Sequence, residues 1–177
     1  MALESILEPI LQGEPQTYSF TVKVADIKKG MTVSIYDNGQ VQPATVGDKV
    51  LGIALFDAEV DDEVTIALMG TSYIARLILG ESQTINMGDR LGAGSTTISG
   101  TTTKGRVAKL ATPTFTDLNL GATPSGSDIN TAVNALIDEI DAAIGDLSEF
   151  VGYALEDKTT SSDAEAVIKV LVKGAAF

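Results

Sequence analysis

The residues best placed to do chemistry lie in one acidic run: Asp57, Glu59, Asp61, Asp62 and Glu63. The spacing of Asp57, Glu59 and Asp61 matches the opening positions of a calcium loop. However, Asp62 stands where that loop requires glycine, and Leu68 where it requires the bidentate glutamate. Paired carboxylates can act as acid and base. These sit on one polar stretch with no apolar surround to raise a pKa, so the run reads as a solvated hairpin tip. Gly92-Ala93-Gly94-Ser95 lacks the lysine and the strand-to-helix setting of a phosphate cradle. The chain has no histidine and no cysteine. It therefore has no Ser-His or Cys-His arrangement, no thiol chemistry and no disulfide. Arg76, Arg90 and Arg106 are scattered, as ion-pair partners would be. These residues imply no enzyme, no cofactor and no metal site.

The elements that would carry such residues are legible from a repeat. Val50-Leu51-Gly52-Ile53-Ala54-Leu55-Phe56-Asp57 returns one hundred positions later as Phe150-Val151-Gly152-Tyr153-Ala154-Leu155-Glu156-Asp157. Each copy is followed by a polar stretch and a second apolar run, 64–70 and 168–174. The pattern predicts one β-hairpin used twice, with the Gly-x-Ala core marking a bend or a close backbone approach. Upstream, Lys29 to Val33 resembles Met87 to Leu91, and Gly39-Gln40-Val41 resembles Gly105-Arg106-Val107, so the parts recur in the same order. Asp37-Asn38-Gly39 predicts a type I′ hairpin turn. Residues 92–104, rich in Gly, Ser and Thr, read as an exposed turn or loop.

Between the halves lies an insertion, at about residues 113–149. Ser127 suits a helix N-cap and Gly145 a stop, which predicts a helix over 127–144. Ile129, Val133, Leu136, Ile137, Ile140 and Ile144 form one apolar stripe on it, able to cover the barrel or to pack on copies of itself. Residues 1–17 read as an N-terminal arm and 18–177 as one β domain. The arm carries Ile6, Leu7, Ile10 and Leu11, but Pro9, Gly13 and Pro15 interrupt any helix there. With Tyr18 and Phe20 these aliphatics are the candidate contacts to a partner surface or to a neighbouring subunit. The arm lacks a basic region and is not expected to be a signal peptide.

The 177 residues are 44% hydrophobic but only 5% aromatic, so the core must be built from Val, Ile, Leu and Ala. A formal charge of -12 disfavours nucleic acid and anionic membranes as partners. The class read from the repeat and the strand pattern is mainly β, built from two similar halves with one inserted helix.

The order of short motifs, from Val24–Gly30 through Val50–Ala54, Val64–Gly70 and Met87–Leu91 to Val151–Leu155 and Val170–Val172, resembles the capsid decoration or cement proteins of tailed phages and related viruses. The resemblance covers about residues 18–111 and 149–174. It implies a small β-barrel or β-tulip-like body and a non-enzymatic virion structural protein, made in the host cytoplasm. Such a protein forms a homotrimer on the capsid exterior, with the major capsid protein as partner, and stabilises the shell. The inserted helix also resembles segments of phage head-fibre proteins. A head-fibre base is therefore one alternative, and a carbohydrate-binding or adhesion β domain is another.

Overall fold

Short runs of β-branched residues separated by Gly, Asn and Asp turns make strands rather than helices. In the computed structural model the described residues are 8–98, 101–112, 123–161 and 166–173. They form β1 (Ile10–Gln12), β2 (Thr17–Val22), β3 (Thr32–Ile35), β4 (Gln40–Pro43), β5 (Val50–Ala54), β6 (Glu63–Leu68), β7 (Tyr73–Leu79), β8 (Thr84–Ile85), β9 (Arg90–Ile98), β10 (Thr101–Lys109), α1 (Gly126–Glu149), β11 (Phe150–Ala154), β12 (Lys158–Thr159) and β13 (Ala166–Val172).

Strands β2-β4-β3-β5-β6 close into a barrel. The larger sheet follows the same path: β7 pairs with β10, β10 with β9, β9 with β11, β11 with β13, and β13 returns to β7. Each ring has one parallel contact, Val22 opposite Val41 in the first and Leu79 opposite Val107 in the second, and its other pairings are antiparallel. The two halves expected from the sequence are thus two rings of identical connectivity.

The correspondence extends to single hydrogen bonds. Gly30 N–H donates to the Ala54 carbonyl at 2.8 Å, and Gly88 N–H to that of Ala154 at 2.8 Å. Both glycines have positive φ, 82° and 93°, so this turn needs glycine in each ring. Gly52 faces Leu68 across the hairpin, and Gly152 faces Val172. Val22, Ile27, Val33, Val41, Ala54, Val64 and Ile66 fill the first ring. Leu79, Ile85, Leu91, Val107, Ala154, Ile168 and Val170 occupy the matching positions in the second, and all are at most 1% exposed. Full burial of each larger aliphatic contributes about 1.5–3 kcal/mol.

The rings are joined through their walls. Ala44, Val50, Ile53, Ala67 and Met69 of the first half belong to the core of the second, while Ile78 of β7 belongs to the core of the first. Gly105 N–H donates to the Ala44 carbonyl at 2.7 Å, and Ile78 N–H to that of Gly30 at 3.1 Å.

Asn38 and Gly39 both have positive φ, 43° and 79°, which is the expected type I′ turn. Three expectations need correction. Residues 92–104 lie largely in paired strands: β9 and β10 run antiparallel from Leu91 opposite Lys109 to Ile98 opposite Thr101. Their threonines are β-branched and suit a strand more than a loop. The helix is also longer than 127–144, because Gly145 lies inside it; a glycine costs a helix only about 1 kcal/mol and does not by itself end one. Its N-cap is Ser125, not Ser127. The Ser125 Oγ accepts the Asp128 N–H at 3.2 Å, and Ser125 N–H donates to Asp128 Oδ2 at 2.8 Å, a reciprocal capping box.

Candidate interaction surface

The acidic run is divided among separate structural tasks. Asp57 accepts the Lys29 N–H at 2.9 Å, and Asp157 in the second ring accepts the Met87 N–H at 2.7 Å. Both aspartates therefore fix the same turn. Asp61 pairs with Lys23 Nζ at 3.0 Å on an exposed face. The 1-3-5 spacing thus describes a turn anchor and a surface ion pair. The signal for the first role was in the sequence, since Asp57 and Asp157 end the two copies of the repeat.

Asp89 follows the second glycine turn. Its carboxylate accepts the Asn86 N–H at 2.8 Å and pairs with Lys109 at 2.7 Å. The backbone N–H of Asn86, and then the Lys109 ammonium, hold its pKa below the ordinary aspartate value. A carboxyl depressed on folding stabilises the fold above its unfolded pKa, about 3.9, and loses that contribution as pH falls through the lower folded-state value. Asp89→Asn should therefore lower the melting temperature at pH 7. The gap between variant and parent should narrow in acid below the ordinary aspartate pKa, as followed by circular dichroism melts across pH. A gap independent of pH would refute the assignment. Asp128 is likewise held low by its hydrogen bonds from Ser125. Burial raises the Tyr73 phenol above its usual range, and its hydroxyl donates to the Ala67 carbonyl at 3.2 Å.

Of the three scattered arginines, Arg106 is buried. It donates to the Lys104 carbonyl and lies 3.9 Å from the Met31 sulfur. Arg90 stacks over the Phe150 ring at 5.6 Å, and Phe150 meets Tyr153 edge-on at 5.2 Å. The Phe150 contacts were not readable beforehand, because they depend on where α1 delivers the chain into β11.

The arm is divided as well. Ile6 and Leu7 lie outside the described residues. Ile10 and Leu11 stand half-buried in β1, which pairs antiparallel with β7, Ile10 opposite Ala75. Ile10 packs against the core of the second ring. Beside it, Glu8, Pro9, Ile10, Lys29, Leu55 and Phe56 line a groove between the arm and the first ring. Tyr18 is 60% exposed on β2, whereas Phe20 is half-buried against the first core.

Among the described residues, the helix carries five exposed aliphatics on one element. Its 24 residues extend about 36 Å. Its end is fixed, since Glu149 is buried and accepts the Gly47 N–H from the turn between β4 and β5. Along the shaft, Ile129, Val133, Ile137, Ile140 and Ile144 are 42–58% exposed, and Leu136 is half-buried. The stripe does not cover the barrel. Ile129 and Leu136 fall at one heptad core position and Val133 and Ile140 at the other. Ile137 and Ile144 broaden the seam beyond a strict two-position stripe.

In class, then, the chain is a tandem pair of like-wound β rings carrying one projecting amphipathic helix. No known family and no curated protein matches its sequence. Among solved structures it is similar to the head fibre gp8.5 N base of bacteriophage phi29, at TM-score 0.52 and 11% identity over 93% of this chain and 100% of that one. The likeness at this identity is one of fold.

Proposed function

We propose that the chain is a non-enzymatic structural protein of a tailed-phage virion. It sits as a homotrimer on the outer surface of the capsid and binds the major capsid protein. The observation that carries this reading is the fold shared with a phage head-fibre base along nearly the whole chain. The uncovered helix stripe supports self-association, because patches of exposed aliphatics on this scale mark interfaces. The breadth of the stripe favours three helices over two.

Within this reading the chain acts as a decoration protein that stabilises the shell. A second role, as the base of a head fibre, is favoured by the fold match and by a helix that stands clear of both rings. Co-sedimentation of the purified chain with expanded, undecorated capsids tests the common part: the chain should pellet with capsids and remain soluble alone. Capsid melting then separates the roles, since a decoration protein raises the temperature of shell disruption and a fibre base leaves it unchanged. A chain that ignores capsids but binds an arrayed glycan would establish the adhesion alternative.

A further inference from the structure

The duplication leaves one strand position filled in the second ring and open in the first. On β7, the edge that faces away from β13 receives β1. Arg76 N–H donates to the Pro9 carbonyl at 2.7 Å, Ile10 lies opposite Ala75, and Gln12 lies opposite Ile74. The counterpart edge belongs to β2, where Thr17 and Ser19 match Ile74 and Arg76. β6 binds the other side of β2: Val22 N–H donates to the Asp62 carbonyl, and Leu68 N–H to that of Gln16. By alternation, Thr17, Ser19 and Thr21 aim their backbone groups away from β6. Thr21 meets Gln40 of β4. No strand lies beside Thr17 and Ser19 among the described residues, and Thr17, Tyr18 and Ser19 are all exposed.

We propose that this open edge of β2 is a strand-acceptor site, and that its occupant is an extended segment of the capsid shell protein; the identity of the occupant rests on the function proposed above. The supply of strands supports an outside donor. Among the described residues there are two equivalent edges and one arm, and the arm is committed to β7. The edge also lacks the Lys, Pro or bulge that blunts an unpaired strand. The filled site defines the ligand's chemistry: a carbonyl for the Ser19 N–H, then an aliphatic side chain beside Tyr18. Backbone pairing supplies affinity, as in other strand additions.

The probe is a synthetic peptide copying residues 8–12, titrated into the labelled full chain. Saturation should slow amide exchange at Thr17 and Ser19 about tenfold. Ser19→Pro removes the outward N–H and spares the β6 ladder, so it should weaken the peptide about tenfold, while Ser19→Ala should bind normally. No peptide binding, or equal binding by Ser19→Pro, overturns the acceptor site. If Ser19→Pro does not fold, the exchange rates of the unmodified chain with and without peptide decide. Sedimentation with capsids then tests the occupant. Parent and Ser19→Ala should pellet and Ser19→Pro should not; equal pelleting of all three rejects the shell segment. Failure of the parent to pellet refutes the proposed function and with it this occupant, while the peptide result still decides the site.

Discussion

Replacing Gly52 or Gly152 with alanine should destabilise the protein by about 3 kcal/mol or more, at the upper end of what overpacking costs. A Cβ at Gly52 would stand 2.2 Å from the Ala67 carbonyl oxygen and 2.6 Å from Ile66 Cγ2. At Gly152 it would stand 2.2 Å from the Leu171 oxygen. These oxygens belong to the neighbouring strand of the same hairpin. They cannot retreat without pulling β5 from β6, or β11 from β13, so no rotamer change relieves the clash. For a chain of this size each kcal/mol shifts melting by about 2–4 °C, so a drop on the order of 10 °C is expected by calorimetry. Gly126→Ala is the control: a Cβ there meets nothing within 4 Å. Unchanged melting of both Gly52→Ala and Gly152→Ala would show that the hairpins are not packed as described.

The second large effect concerns assembly. If the proposed homotrimer forms through the stripe, the double substitution Ile137→Asp with Ile140→Asp should reduce it to a monomer by light scattering, with little change in the melting of the rings. Both side chains are more than two-fifths exposed in the single chain, so a carboxylate costs the isolated fold little. In a helix bundle the same carboxylates would be buried without partners, which costs several kcal/mol per helix. Burying the exposed remainder of the five aliphatics contributes about 1 kcal/mol each before association costs. An unchanged mass would refute assembly through the stripe. A loss of ring stability would mean instead that the stripe packs on the barrel after all.

The repeat was legible because its cause is local. The glycine of Gly-x-Ala is imposed by a carbonyl across the hairpin, and Asp57 and Asp157 by a backbone N–H in the adjoining turn; both leave the same residue types at the same places. Ring closure was expected only through the resemblance and not from the residues themselves, because it rests on contacts such as Leu79 with Val107 that link distant parts of the chain. The threonines of β9 and β10 were misread because their composition suits a polar loop, while their pairing across the hairpin depends on the ring they extend. The aliphatic stripe of α1 could be seen as amphipathic, but periodicity cannot say what an apolar face meets. The candidate residues of the arm fared similarly. Ile10 could be seen as a buried side chain in search of a surface, and that surface turned out to be the chain's own β7. Tyr18 and Ser19 looked like any half-buried strand until the filled edge of β7 gave them a comparison.

The connection between β4 and β5 runs only from Pro43 to Val50, whereas its counterpart between β10 and β11 runs from Lys109 to Phe150 and contains the whole helix. In chain entropy the difference is small. Close to three doublings of loop length cost about 2 kcal/mol, less than one well-buried leucine can contribute. The turn is therefore a position at which the ring accepts long insertions cheaply. Its untouched copy around Val46, which is 63% exposed, is a natural place to graft a foreign segment onto this scaffold.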